Sequence, residues 1–219
     1  MNRYPIKIPR LVTSVLSKRR WHFSRKEKIL YLTFDDGPIP EVTPWVLDLL
    51  GEHNAQATFF VIGDNVQKHP EITRAILQQG HTLGNHTQQH LKGTDCTLDA
   101  YLNQVDRCNS SIAEALQAPK TRIRLFRPPY GRLRQSQAKA LLKQDYRIVM
   151  WDVLSADFDT VVLPDQCLEN VLNNAQSGSI VVFHDSLKAQ EKLRYVLPKV
   201  LEHFSNLGYS FRCIPLQDQ

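Results

Sequence analysis

The sequence predicts an α/β fold in which parallel strands are joined by helical crossovers. Three observations predict it. Short β-branched and aromatic runs alternate with amphipathic stretches about seven times along the 219 residues, and such alternation builds parallel sheets. Polar residues able to carry chemistry collect where these runs end, as they do on the carboxyl rim of β/α folds. Neither a GxGxxG nor a P-loop signature follows the first run, which excludes the usual nucleotide-binding versions of the architecture. The alternation fits an open doubly wound sheet or a closed β/α barrel.

The elements follow in order. Residues 29–34 are a buried strand, and the carboxylates of Asp35 and Asp36 come next, before the turn formers Gly37 and Pro38. Val46, Leu47, Leu49 and Leu50 recur at helical spacing, and Gly51 and Asn54 supply the stop. Residues 56–62 form a second strand, 70–79 a helix closed by Gly80, and 81–85 a short strand before His86. Residues 97–116 are a long amphipathic helix, with Thr97 as N-cap and Ala100 opening its inner face. A strand at 123–126 runs into the rigid turn Arg127-Pro128-Pro129-Tyr130-Gly131. Then come a helix at 135–143, a strand at 146–153, a helix at 164–175 and a strand at 179–183 ending at His184. A helix at 187–204 and a strand at 209–213 complete the chain.

Charge divides the chain in two. Residues 1–28 are a basic lead-in with nine Lys/Arg and one acid, leaving 18 basic and 21 acidic residues, a net of −3, in the domain at 29–219. That balance gives no footing for a nucleic-acid groove. The lead-in reads as a solvated arm, or as a patch that meets an anionic membrane or cell-wall surface. Its apolar run at 11–16 includes Thr13 and Ser14 and precedes Lys18-Arg19-Arg20, so it does not read as a signal peptide. Location therefore stays open between cytoplasm and envelope. Oligomeric state is not legible. Four cysteines are scattered without a CxxC, which makes free thiols the default and a cysteine-ligated metal a poor expectation.

Read one at a time, the rim residues have ordinary explanations. Asp35-Asp36 suits a turn, His184 a satisfied core histidine, Arg127 a structural ion pair and Trp151 the core. Two histidines four apart are usually surface residues. Together they point elsewhere. Adjacent carboxylates repel unless a cation lies between them. On a helical turn His86 and His90 would share a face, a spacing that grips divalent metals. A rim carboxylate would complete a two-histidine, one-carboxylate set. Asp152, Asp157 and Asp185 stand on the same rim.

The motifs Thr33-Phe34-Asp35-Asp36-Gly37-Pro38, His86-Thr87-Gln88-Gln89-His90, Arg127-Pro128-Pro129-Tyr130-Gly131 and Val182-Phe183-His184 occur in that order. The series resembles that of the polysaccharide deacetylase family, the nodulation-protein-B homology domain of carbohydrate esterase family 4, from about residue 29 to 211. The resemblance implies a distorted (β/α)7 barrel and a metal-dependent hydrolase that removes N-acetyl groups from N-acetylglucosamine-containing glycans. Peptidoglycan, chitooligosaccharide and a lipid-linked sugar are the candidate substrates. It implies that Asp36, His86 and His90 bind a divalent metal, zinc first, with cobalt, nickel or manganese as alternatives. It makes Asp35 the general base, held by Arg127. Tyr130 lends its backbone N–H to the oxyanion, and His184 is the general acid oriented by Asp157. One stretch departs from the pattern. The family's fourth motif is often Asp-x-x-Asp-Trp, and here it reads Leu154-Ser155-Ala156-Asp157-Phe158. Asp157 is kept, and Leu154 and Phe158 put substrate preference in question. The alternatives are an O-acetyl esterase or other amide hydrolase on the same scaffold, and a carbohydrate-binding barrel without catalysis.

Overall fold

The structure, a computed structural model, describes residues 4–216. The lead-in carries a short helix, α1 (Arg10–Val15), before β1 (Ile29–Asp35). The chain continues through α2 (Thr43–Glu52), β2 (Ala57–Val61), α3 (Gly63–Lys68), α4 (Pro70–Gln78) and β3 (Thr82–Asn85). Next come α5 (Leu98–Ala115), β4 (Leu125–Phe126), α6 (Gln135–Lys143), β5 (Arg147–Ile148) and β6 (Val153–Leu154). α7 (Pro164–Leu172), β7 (Ile180–His184), α8 (Gln190–Asn206) and β8 (Ser210–Phe211) complete it. The strand order is β5-β4-β3-β2-β1-β7-β6, with β8 beside the start of β1. Every pairing is parallel. Seven strands thus curl into a half-barrel with helical crossovers, as the alternation and the family resemblance predict.

β1 is the axis, and all seven of its residues are buried. Strand alternation divides them between two cores. Leu30, Leu32 and Phe34 join the layer between sheet and helices, with Val46, Leu47, Val196 and Leu197. Ile29 and Tyr31 join the inner cluster with Phe60, Leu125, Val149 and Ile180. Burying each of the three outer side chains contributes about 1.5–3 kcal/mol. The inner register continues upward through Thr33 to Asp35. The same parity runs from Leu125 to Arg127 on the β4 exit and from Ile180 through Val182 to His184 on β7. Gly84 leaves room for the Phe60 ring, which lies 2.3 Å from where a Cβ would stand.

Several local expectations change. The stretch at 146–153 is not one strand. β5 pairs with β4 and β6 with β7, at opposite ends of the strand order. The residues between them therefore cross the opening of the half-barrel. A helix at Gly63–Lys68 separates β2 from α4, too short to show an amphipathic period. In α5 the Thr97 side chain accepts from Ala100 N–H as an N-cap should, but Ala100 is exposed and the buried face begins at Tyr101.

The described part of the lead-in is not a free arm. It lies along the opening, bridging Lys7 to Val153, Arg20 to Val149 and His22 to Ser179. Leu154 N–H donates to Ile6 O at 2.9 Å, and Ile8 N–H to Asp152 O at 3.1 Å. Two of its cations explain the attachment. Lys7 Nζ and Arg25 Nη2 reach the buried Asp152 Oδ2 at 3.0 and 2.8 Å. Asp152 also accepts from Ser179 Oγ and Ile180 N–H. It is therefore the anchor of the lead-in, although the sequence places it with the rim residues. No helix among the described residues is long and apolar enough to cross a membrane.

Candidate active site

The carboxyl ends of β1, β3, β4 and β7 surround a cleft of about 560 Å3. Asp35, Asp36, His86, His90, Tyr130 and His184 all line it. Arg127 and Asp157 are fully buried behind this lining.

Asp35 faces inward because it shares the parity of Tyr31 and Thr33. Alternation alone would turn Asp36 away, but its φ of 83° places it in the left-handed region and both carboxylates reach the cleft. The turn is held from two sides. Asn65 Nδ2 donates to Asp36 O at 2.8 Å, and Gly37 N–H donates to Asp185 Oδ1 at 3.0 Å. Asp185 also accepts from Thr43 Oγ1 at 2.6 Å. A Cβ at Gly37 would stand 2.0 Å from Asp185 Oδ2, so only glycine fits.

His86 and His90 share the cleft without sharing a helix. Residues 86–90 are irregular backbone, with Thr87 and His90 at φ of 67° and 54°. Thr87 N–H donates to Asn85 Oδ1, and Leu91 N–H to Thr87 Oγ1. These bonds fold the loop so that the imidazoles converge, with ring centroids 5.0 Å apart. The spacing thus predicts the convergence but not the backbone that produces it.

His86 Nδ1 lies 2.7 Å from Arg127 O and donates to it, which leaves Nε2 as a lone pair toward Asp36. Burial, aided by the neighbouring His90 ring, pushes His86 down to about 3, so it is neutral at pH 7. Asp36 Oδ1 lies 3.7 Å from His86 Nε2 and 3.2 Å from His90 Nε2. It is buried and has no hydrogen-bond partner among the described residues. The donor atoms of Asp36, His86 and His90 all lie within 4.8 Å of one another. An orphaned carboxylate oxygen facing a neutral imidazole lone pair is an arrangement that a divalent cation satisfies.

Arg127 anchors the other carboxylate. Its Nη1 donates to Asp35 Oδ1 and to Thr33 Oγ1, both at 2.7 Å, and its Nη2 donates to Met150 O at 3.0 Å. The Phe60 ring lies 4.1 Å from the guanidinium. A buried cation needs such complete pairing. The second oxygen of Asp35 accepts no hydrogen bond among the described residues.

His184 Nδ1 lies 2.7 Å from Asp157 Oδ1, and the His184 N–H donates to Asp157 Oδ2 at 2.8 Å. Burial pulls the imidazole down, but the charge and hydrogen bond of Asp157 outweigh it, with help from Asp36 and Asp35. The result is a pKa of about 9. Phe158 sets its ring edge against His184 at 4.9 Å, and Leu154 lines the cleft. Tyr130 has φ 58° and ψ 10°, and its exposed ring lies 4.6 Å from that of His90.

Sequence reasoning missed four lining residues, Tyr4, Arg132, Ser186 and Lys188, and took Trp151 for core although it also lines the cleft. Arg132 and Lys188 follow recognised motifs closely and were findable by position. Tyr4 was not. Its hydroxyl donates to Asp159 Oδ2 at 2.6 Å and its ring lies 5.3 Å from Phe158, contacts that span about 155 residues of chain.

The sequence profile of the polysaccharide deacetylase family matches residues 23–149. The chain belongs to this family. A peptidoglycan-N-acetylglucosamine deacetylase of Bacillus cereus is 34% identical over 192 residues, 87% of this chain and 88% of the relative. A chitooligosaccharide deacetylase of Rhizobium leguminosarum bv. trifolii is 33% identical over 200 residues, 86% of this chain and 91% of the relative. Among solved structures, a peptidoglycan N-acetylglucosamine deacetylase in complex with a naphthalenyl N-oxidanyl-benzamide superposes with a TM-score of 0.86. It is 31% identical and covers 95% of each chain. Polysaccharide deacetylases of this family are metal-dependent, and Asp36, His86 and His90 form a possible metal site of the matching kind.

Proposed function

We propose that the protein is a zinc-dependent hydrolase that removes the N-acetyl group from N-acetylglucosamine units of a glycan. The observation that carries this reading is the division of labour between the two adjacent carboxylates. Asp36 points its unpartnered oxygen at two imidazoles, while Asp35 is tied to Arg127. The named relatives act on peptidoglycan and chitooligosaccharide, both N-acetylated glycans.

Asp36, His86 and His90 would hold the cation, and one oxygen and two nitrogen donors suit zinc. When bound, such an ion lowers the pKa of a water toward 7 and polarises a carbonyl. This chain's own residues supply the rest. Asp35, held in place by Arg127, takes a proton from the attacking water on its uncommitted oxygen. The Tyr130 N–H donates to the developing oxyanion, a contribution of about 3 kcal/mol for a well-placed donor. His184, protonated at pH 7, gives its proton to the departing amine, and Asp157 keeps the ring oriented.

The test is acetate release from chitooligosaccharide and peptidoglycan, followed with and without chelator and with O-acetylated sugars in parallel. Release from the amide substrates that stops on chelation supports the reading. Release from esters alone at full metal occupancy would replace it with an O-acetyl esterase.

A further inference from the structure

The cleft is acidic at its floor and basic at its rim. Lys188 stands four positions beyond His184 and lines one side. Arg132, two positions beyond Tyr130, lines it as well. Neither side chain has a hydrogen bond or ion pair among the described residues. Tyr130 and Arg132 also border a second, open depression of about 590 Å3, whose other walls are Lys92 and Thr94. Arg134 donates to the Thr94 carbonyl and adds its charge there. Of these four cations only Lys92 has a carboxylate within ion-pair distance among the described residues, Asp95 at 3.2 Å.

This pattern runs against the rest of the domain, whose net charge over residues 29–219 is −3. Scattered exposed cations are ordinarily solvated and contribute little. Here they gather around the cleft that holds the acid–base residues, and they extend past it into a contiguous depression. Such a rim favours negative charge in whatever lies along it. Arg132 adds geometry, since a planar guanidinium can take a carboxylate or phosphate through two parallel hydrogen bonds.

We propose that the natural substrate is an N-acetylated glycan carrying oxyanions on the sugars that flank the one deacetylated, received by Arg132 with Lys92 on one side and by Lys188 on the other. The proposal rests on the deacetylase reading and deepens it, because it separates acidic glycans from neutral ones. A neutral N-acetylglucosamine oligomer fills the cleft without engaging these cations. A glycan with ether-linked carboxylates, or a sugar phosphate, engages them.

The experiment compares kcat/KM for acetate release from four probes. They are a neutral β-1,4-linked N-acetylglucosamine tetramer, the same oligomer with lactyl carboxylates on alternate sugars, the methyl ester of that oligomer, and N-acetylglucosamine 1-phosphate. The acid should exceed its ester by about tenfold or more at low ionic strength, and the gap should shrink as salt screens the rim. In the double variant Arg132→Gln with Lys188→Gln the ratio should fall below about twofold. A ratio near one in the native protein, or one unchanged by the double substitution, overturns the proposal. A faster reaction with the phosphate than with the lactyl oligomer supports the oxyanion subsite and assigns it to a sugar phosphate. Turnover of the ester with a flat ratio removes the subsite and leaves the deacetylase reading standing. If no probe releases acetate, the deacetylase reading falls, and titration calorimetry of acid against ester then decides the subsite by the same ratio.

Discussion

At the scale of single residues, the adjacent carboxylates should respond differently to the same change. Asp36→Asn removes the charge that faces His86 and His90, and should lower metal affinity about 10- to 100-fold or more. Asp35→Asn should keep the metal and lower kcat by about 10²–10⁴. Metal content by mass spectrometry, set beside acetate release, checks both; loss of metal from both variants would show the pair divided wrongly. The His184–Asp157 pair makes a pH prediction. Its folded value of about 9 lies above the ordinary histidine value of 6.5, so the pair stabilises the fold fully below pH 6.5 and loses that contribution as pH rises through 9. Activity that needs protonated His184 should fall over the same range. A bound cation offsets the Asp36 charge and moves this alkaline limb below 9. Asp157→Asn should lower it further, as a kcat–pH profile would show.

Tyr4 belongs to the same scale. Tyr4→Phe keeps the ring against Phe158 and loses the bond to Asp159, whereas Tyr4→Ala loses both. Phe158 leans on His184, so the alanine variant should lose severalfold more kcat than the phenylalanine variant. Equal rates in the two would assign the effect to the hydroxyl alone.

At the scale of elements, what was legible in the sequence is what local chemistry controls. β1, β2 and β7 are continuous apolar runs bounded by Gly, Pro or charge, and their boundaries fall within about two residues of the expected ones. Thr97 caps α5 as its position suggests. That Asp35, Asp36, His86, His90, Tyr130 and His184 line one cleft was legible for the same reason, since each stands at or shortly after a strand end. The division at residues 146–153 was not legible, because the edge with which a strand pairs is decided by closure of the sheet and not by its own side chains. The loop at 86–90 was not legible either, since its left-handed residues are a threonine and a histidine instead of glycines. The seam itself can be tested. Asp152→Asn weakens the pull on Lys7 and Arg25, which are 32% and 35% exposed, so the loss should be about 1–3 kcal/mol rather than that of a fully buried pair. Urea denaturation measures it.

At the scale of the whole molecule, the proposed metal site joins β1 to the loop after β3, and the His184–Asp157 pair joins the β6–α7 loop to β7. A ligand that binds only where these strand ends converge stabilises the folded state by mass action. Zinc at 100 times its dissociation constant should add about 2.7 kcal/mol, visible as a rise in Tm that chelator reverses and that Asp36→Asn abolishes.

The lead-in also sets an order of events. Lys7 leaves the ribosome early, yet Asp152 lies 145 positions downstream and Asn174, whose carbonyl it also reaches, 167 positions downstream. Until that late stretch is synthesised, Lys7 has neither of these partners. Closing so long a loop is entropically costly and slow relative to local contacts. The seam should therefore be the last part of the molecule to assemble and the first to breathe. Deuterium should reach the amides of Ile8 and Leu154 well before those of β1, which marks the side of the barrel where a nascent or stressed chain lies open.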